Sequence, residues 1–166
     1  DRRVGFIWQT IAELKQELMA AGSDLYCLVG NPAEEIPRLA AQLDAADVYA
    51  NKDYEPDARL RDTAVATRLA AQGRTLHLSK DQVIFEKDEV LTLSAKPYTV
   101  YTPYKNAWLK RLTSADYAEW SWRGKLAPCA SAAVPRLDQI GFAPTDLEQL
   151  GIRPGMSGAR ALWEEF

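Results

Sequence analysis

The sequence predicts an α/β fold, a Rossmann-like parallel sheet with helices on both faces, followed by a long connector. Two observations predict it. Short apolar runs alternate with amphipathic helical segments over the first 80 residues, and this alternation is typical of a parallel sheet covered by helices. The 166 residues, of which 47% are hydrophobic, are also enough to bury one core without disulfides or metals. We therefore expect one α/β domain over residues 1–112.

The first helix is predicted by apolar residues that recur every three or four positions over residues 4–18, with Gly22 at the expected end. Residues 25–29 form a continuous apolar run before a Gly-Asn-Pro turn, and they predict a strand buried on both faces. Because an amphipathic first helix needs a sheet face to cover, we expect at least one strand before Asp1.

The next elements continue the alternation. Residues 34–43 predict a second helix, whose early glutamates suit the positive end of the helix dipole. Residues 47–51 and 75–78 predict two further strands. Between them, the Glu-Pro-Asp sequence at residues 55–57 predicts the start of a third helix that ends before Gly73.

Beyond residue 80 the pattern weakens. Residues 83–86 and 90–93 are compatible with short edge strands or with extended loop, and both alternatives stay open. Thr102 as the N-cap and Pro103 as the first helical residue predict a fourth helix.

The last third of the chain is rich in helix breakers. Residues 113–157 contain four prolines and four glycines and are predicted to be an interdomain connector. Residues 158–166, with Leu162, Trp163 and Phe166, predict the start of another helix with little partner surface in this chain. We expect this helix to lead into a further helical domain.

Basic residues are concentrated between residues 96 and 136, where the net charge is +5, against −8 for the remainder. Arg123 is one of the seven basic residues of this segment. The segment is either a solvated surface or a face for phosphates or an acidic partner domain. The overall charge of −3 indicates no general attraction to nucleic acid.

Motifs for several common site types are absent from the sequence. There is no phosphate-binding P-loop, no Gly-x-Gly-x-x-Gly after a strand, no His-Glu-x-x-His and no Gly-x-Ser-x-Gly. His77 lies in a strand pattern and is expected to be packed or at an edge, while Cys27 and Cys129 form no Cys-x-x-Cys pair. We expect no metal site, no catalytic residue in this chain, no membrane span, and a reducing, cytoplasmic setting.

Two motifs indicate binding. Residues 51–62, NKDYEPDARLRD, lie where a strand passes into a helix, the edge at which open parallel sheets bind ligands. The structural alternative is that Asp53 and Glu55 cap the helix and the nearby arginines pair with them. Residues 97–110, PYTVYTPYKNAWLK, are dense in aromatic residues and proline, which suits domain packing or stacking on a ring system.

Together with residues 155–166, GMSGARALWEEF, these motifs resemble the DNA photolyase/cryptochrome family, specifically the N-terminal α/β antenna domain of class I cyclobutane pyrimidine dimer photolyases. The resemblance implies an enzyme that absorbs light through an antenna pigment and passes the excitation to reduced FAD in a helical domain. An electron from the flavin then splits the dimer in UV-damaged DNA.

The resemblance further implies that this chain is the antenna portion, is not catalytic alone, and works with an FAD-binding domain outside it. We expect a monomer. The region 158–166 would begin the FAD-binding domain.

The resemblance also bears on the pigment. Folate-binding relatives carry a glutamate at the position of Ala58, so methenyltetrahydrofolate is disfavoured. Relatives that bind a deazaflavin place an arginine and an aspartate at the pigment, at the positions of Arg3 and Asp53. A pigment of the deazaflavin or flavin type is therefore expected at these two residues. Ala95 occupies a turn position where relatives often have glycine.

Three alternatives remain at the level of sequence. A cryptochrome would signal rather than repair, and the residues that discriminate would lie in the flavin domain. A generic Rossmann-like nucleotide-binding module would need a glycine-rich phosphate turn, which residues 30–32 supply poorly because Pro32 lacks an amide donor. A purely structural interaction domain would bind no pigment.

Overall fold

A computed structural model of the chain describes residues 1–119, 121 and 124–166. Arg123, counted in the basic segment, lies outside the described residues. The helices and strands are α1 (Arg2–Ala20), α2 (Pro32–Gln42), β1 (Asp47–Asn51), α3 (Pro56–Ala70), β2 (Thr75–Ser79), α4 (Tyr101–Arg111) and α5 (Gly155–Glu165). Short 3₁₀ turns lie at Lys87–Glu89, Ser114–Tyr117 and Leu137–Ile140.

The chain divides into two compact units. One consists of Asp1–Val29 with Ser121–Phe166 and is called here the α1/α5 unit. The other is Gly30–Trp120 and is called the sheet unit. The predicted domain boundaries at residues 112 and 157 stay predictions.

The sheet unit confirms the predicted α/β class. Strands β1 and β2 pair in parallel, with Val48 opposite Leu76, and α3 forms the crossover between them. Asn31 caps α2, because its side chain accepts the backbone amide of Ala33. Pro32 is the first residue of the helix, a position where a backbone N–H would have no partner within the helix. The helices and strands predicted over residues 34–78 are therefore confirmed.

The core of the sheet unit lies between the helices and one face of the sheet. Ala33 and Ala40 of α2 meet Val65 and Leu69 of α3, and Leu69 is fully buried, with an exposed fraction of 0%. Burial of one such leucine side chain stabilises the fold by about 2 kcal/mol.

The opposite face of this sheet is open in the sheet unit. Tyr49 is 73% exposed and stacks on His77, with 4.7 Å between the ring centroids. The His77 Nε2 lies 2.6 Å from Asp47 Oδ1. Of the two predicted settings for His77, packed or at an edge, the structure shows the second, with a side chain that is 43% exposed.

The prediction of a buried strand over residues 25–29 is wrong in this structure. These residues form no ladder, and Leu28 and Val29 are exposed. An apolar run becomes a strand only where another strand offers its edge for hydrogen bonding. Here the segment is tied by side chains instead, since the Tyr26 hydroxyl donates to the Ala130 carbonyl at 2.9 Å.

Two details after residue 80 are also settled. Residues 83–86 and 90–93 form no strands, so the loop alternative is confirmed. Helix α4 begins at Tyr101 with Val100 as its N-cap, so the predicted cap at Thr102 is wrong. Pro103 then lies in the first turn, where backbone N–H groups have no partner within the helix and its missing donor costs nothing.

In the α1/α5 unit, α1 confirms the predicted first helix and α5 begins at Gly155, three residues before the predicted boundary. The two helices pack against each other. Among the described residues, no helix combines the length and the apolar character needed to cross a membrane.

Candidate functional site

A cleft of about 960 Å³ opens in the sheet unit where β1 passes into α3. Its volume suits a small organic ligand. Residues from the end of β1, from α3 and from the loop after β2 line it: Lys52, Asp53, Tyr54, Arg59, Asp62, Thr63, Ala66, Thr67, Leu78, Glu86, Lys87, Asp88 and Glu89. The cleft therefore lies at the carboxyl edge of the parallel strands, where the motif at residues 51–62 predicts a ligand.

Asp53 lies at the turn between β1 and α3. Its Oδ1 accepts the backbone amide of Tyr54 at 2.7 Å and the side-chain amide of Gln82 at 3.3 Å. Glu55 occupies the N-cap of α3, but its side chain accepts no hydrogen bond there. The alternative in which both acids cap the helix is thus wrong for Glu55, while Asp53 holds the turn and lines the cleft.

Glu86 forms one wall of the cleft. Its carboxylate, 14% exposed, accepts Lys52 Nζ at 2.8 Å and the Tyr54 hydroxyl at 2.7 Å. The hydrogen bonds from Lys52 and then Tyr54 lower the pKa of Glu86. The hydrogen bond between the Tyr54 hydroxyl and Glu86 also raises the pKa of Tyr54 to about 12. Both shifts move the pKa away from pH 7, which does not suit either group for acid–base catalysis at that pH.

The charges along α3 are mixed. Arg59 is exposed at the rim of the cleft, and Arg61 pairs with Asp62 at 2.9 Å, rather than with Asp53 or Glu55. Such a rim presents both a cation and acids to a polar ligand.

Ala58 is a buried residue in the first turn of α3. A methyl group neither donates nor accepts a hydrogen bond, so this position offers a ligand no polar partner.

Arg3 lies in the α1/α5 unit, in the first turn of α1. Its guanidinium is 87% exposed and donates to Asp1 at 2.7 Å. Asp1 also caps α1 by accepting the Arg3 amide at 2.9 Å. The structure thus describes the two predicted pigment residues in separate units, Asp53 at the cleft and Arg3 on an exposed helix end.

A buried ion pair in the α1/α5 unit escaped sequence reasoning. Lys15 is 9% exposed and pairs with Asp24 while it donates to Ser131 Oγ at 2.7 Å. The sequence does contain a signal for the burial of Lys15, because this residue falls on the apolar stripe of α1, four residues after Ile11.

The contact of Lys15 with Ser131 resembles a serine–lysine nucleophile, but its surroundings exclude that chemistry. Hydrogen bonds from Lys15 and from the Leu25 amide hold the pKa of Asp24 well below its usual range, so a carboxylate faces the ammonium group. The Ser131 hydroxyl donates to the Leu25 carbonyl at 2.7 Å rather than to a free base. The cluster is therefore structural.

Within the part of the chain that the structure describes, no group of three or more His, Cys, Asp or Glu side chains is placed to hold a metal ion. Cys27 and Cys129 are both free thiols.

Comparison with known proteins gives a consistent result. A sequence profile of the family described as DNA photolyase matches residues 1–122. The deoxyribodipyrimidine photo-lyase of Synechococcus sp. is 34% identical over 99% of this chain and 35% of its own length. The protein of the same name from Halobacterium salinarum is 32% identical, over 99% of this chain and 34% of its own length.

A solved structure agrees with these relatives. The crystal structure of a bacterial class III photolyase from Agrobacterium tumefaciens superposes with a TM-score of 0.72 at 25% identity. The match covers 94% of this chain and 33% of that protein. The chain thus spans about a third of the length of the relatives it matches.

Proposed function

The chain belongs to the DNA photolyase family, and from this premise we propose that it is the N-terminal α/β portion of a light-dependent DNA repair enzyme. The enzyme splits cyclobutane pyrimidine dimers in UV-damaged DNA. The observation that carries the proposal is the family match over residues 1–122. The motifs favour class I, whereas the similar solved structure is a class III enzyme, so the class is assigned here on the motifs alone.

The cleft at the end of β1 is proposed to hold the antenna pigment. Leu78 and Ala66 give it apolar surface, and Asp53 and Arg59 offer an acceptor and a cation at its edge. These side chains fit a flat, polar heterocycle, and the buried methyl of Ala58 disfavours methenyltetrahydrofolate. We therefore assign a pigment of the deazaflavin or flavin type, with Asp53 as its acceptor in the cleft; the role of Arg3 as a second pigment residue stays a prediction.

An antenna pigment absorbs light and transfers the excitation, so it requires a fixed position rather than acid–base groups. The residues of the cleft meet that requirement. Lys52 and Tyr54 hold the Glu86 carboxylate from two sides, and Gln82 and the Tyr54 amide hold Asp53. Side chains locked in this way preserve one orientation of a bound ring system.

FAD is assigned to a helical domain outside the 166 residues, as the partner of this chain. The coverage of about a third of each relative supports this assignment. The flavin would supply the electron that splits the dimer. The protein is proposed to act as a cytoplasmic monomer, without a membrane partner.

The generic nucleotide-binding alternative loses support at residues 30–32. A phosphate turn needs free backbone amides at a helix N-terminus. At α2, the Asn31 side chain already accepts the Ala33 amide, and Pro32 has no N–H to donate.

The test is a repair action spectrum of the protein expressed from its complete gene. Dimer repair is expected only in light, with one band from reduced FAD and a second band from the pigment. Absence of light-dependent repair, in a protein that holds FAD, would overturn the photolyase assignment and leave cryptochrome-type signalling. Repair with a spectrum identical to that of the flavin alone would overturn the antenna role.

A further inference from the structure

Within the α1/α5 unit, residues far along the chain are bound to α1 at several points. The Arg2 guanidinium donates to both carboxylate oxygens of Asp146, at 2.8 and 2.7 Å. The Trp8 indole donates to the Pro135 carbonyl at 2.7 Å. These contacts bind the segment that precedes α5 to the surface of α1.

The last of these contacts is made by Glu13. Its two carboxylate oxygens accept the backbone amide of Ser157 at 2.9 Å and the Ser157 hydroxyl at 2.8 Å. Arg2 and Glu13 are eleven residues apart, which is three helical turns, so both lie on one side of α1.

Glu13 replaces a cap that α5 lacks. The N-cap residue of α5 is Pro154, whose side chain makes no capping hydrogen bond. An N-cap side chain ordinarily accepts the amide of the second or third helical residue, and Ser157 is the third. The negative charge of Glu13 also suits the positive end of the α5 dipole.

Glycines allow the close approach. A methyl group added at Gly155 would lie 1.9 Å from Glu13 Oε2, and the positive φ of +83° also favours glycine there. A methyl group added at Gly5 would lie 2.4 Å from Thr145 Oγ1. Gly155 therefore leaves room for Glu13, and Gly5 leaves room for Thr145, the residue next to Asp146.

We propose that Glu13 is a positioning residue that fixes the direction of α5 on α1 by capping α5 from the neighbouring helix. On the proposed function, α5 leads into the flavin-binding domain, so Glu13 would help to fix the direction in which the chain enters that domain. This last consequence, unlike the cap itself, rests on the proposed function.

The experiment measures capping and position separately, in the protein expressed from its complete gene. Hydrogen exchange reports protection of the first-turn amides of α5. Spin labels at the exposed positions Gln16 and Arg160, after replacement of Cys27 and Cys129, report the distance between α1 and α5. Neither readout depends on pigment or on repair.

In Glu13→Ala, exchange of the α5 amides is expected to accelerate about fivefold, as for loss of an N-cap. The label distances are expected to broaden. Glu13→Gln keeps one oxygen acceptor, so its exchange rates and label distances should lie between those of the wild type and those of Glu13→Ala. Glu17→Ala, an exposed glutamate of the same helix, is the matched control and should match the wild type.

The double variant Glu13→Ala/Pro154→Asp decides between capping and positioning. The extended backbone at Pro154, with φ −76° and ψ 172°, suits an aspartate cap. Restored exchange protection with a still broad distance distribution supports the proposal. A distance distribution restored by the local cap, or unchanged in Glu13→Ala, overturns it. Failure of repair in the wild type would overturn the proposed function without changing either readout.

Discussion

Different kinds of contact stabilise the interior of the sheet unit and the interior of the α1/α5 unit. In the sheet unit, apolar side chains of adjacent elements, with Leu69 at their centre, pack between α2, α3 and the strands. In the α1/α5 unit, α1 leaves Ile7 and Leu14 exposed, and polar bonds such as that from Lys15 to Ser131 join residues more than a hundred positions apart. Apolar packing between neighbouring elements therefore stabilises the sheet unit, whereas polar contacts, with the buried Lys15–Asp24 pair among them, stabilise the α1/α5 unit.

The largest effect is expected for Leu69→Ala in the sheet unit. Removal of a fully buried leucine side chain leaves a cavity and should lower the free energy of unfolding by about 4 kcal/mol. Chemical denaturation measures the loss, and hydrogen exchange should locate it within residues 30–120.

The matched control is Leu60→Ala, an exposed leucine of the same helix. It should change stability by less than about 0.5 kcal/mol. Equal effects at Leu60 and Leu69 would contradict an apolar core between α2, α3 and the sheet.

The next effect is expected for Lys15→Met in the α1/α5 unit. Loss of one partner from a buried ion pair should lower the free energy of unfolding by about 3 kcal/mol. Accelerated exchange in residues 1–29 and 121–166 would locate it. Gln16→Met, at an exposed neighbour on α1, should change little.

The Lys15→Met effect should depend on pH, with a known sign. The folded pKa of Asp24 is depressed, so its pairing stabilises the fold above the unfolded pKa of about 3.9. That stabilisation is lost as pH falls from there through the depressed folded pKa. The difference between wild type and Lys15→Met should therefore shrink below pH of about 4. A difference that is constant from pH 7 to pH 3 would show that charge pairing does not hold this unit.

The smallest effect is expected for Ala95→Gly. Ala95 has a φ of +54°, a left-handed conformation that costs an alanine roughly 1 kcal/mol more than a glycine. The substitution should raise the stability of the sheet unit by about that amount. Ala66→Gly, inside α3, should lower it by about 1 kcal/mol. Thermal unfolding of both variants checks the opposite signs, and destabilisation by Ala95→Gly would contradict the strained turn.

The difference between contacts of neighbouring elements and contacts of distant segments also explains which parts of the fold the sequence predicts. Strands β1 and β2 and helices α1 to α3 follow from local periodicity and punctuation. Residues 25–29 have the composition of a strand, but strand formation depends on a neighbouring edge that composition does not specify. The cap of α4 was misplaced because Thr102 has the right chemistry but lies inside the helix.

The candidate site divides in a similar way. The position of Asp53 follows from the strand-to-helix motif, because ligand sites occur at that edge of a parallel sheet. Its partner Gln82 and the wall residue Glu86 lie about thirty positions later in a loop without periodicity. Likewise, nothing local in the sequence links Glu13 to Ser157, which lies 144 positions away.

The most direct test of the account is pigment occupancy in the full-length protein with Asp53→Ala. Loss of a hydrogen bond from the pigment to a carboxylate should lower its affinity at least about tenfold, while FAD content and repair driven by direct flavin excitation stay unchanged. Asp57→Ala, an exposed acid in the first turn of α3, should keep the pigment. Wild-type pigment occupancy in Asp53→Ala would contradict the assignment of the cleft as the antenna site.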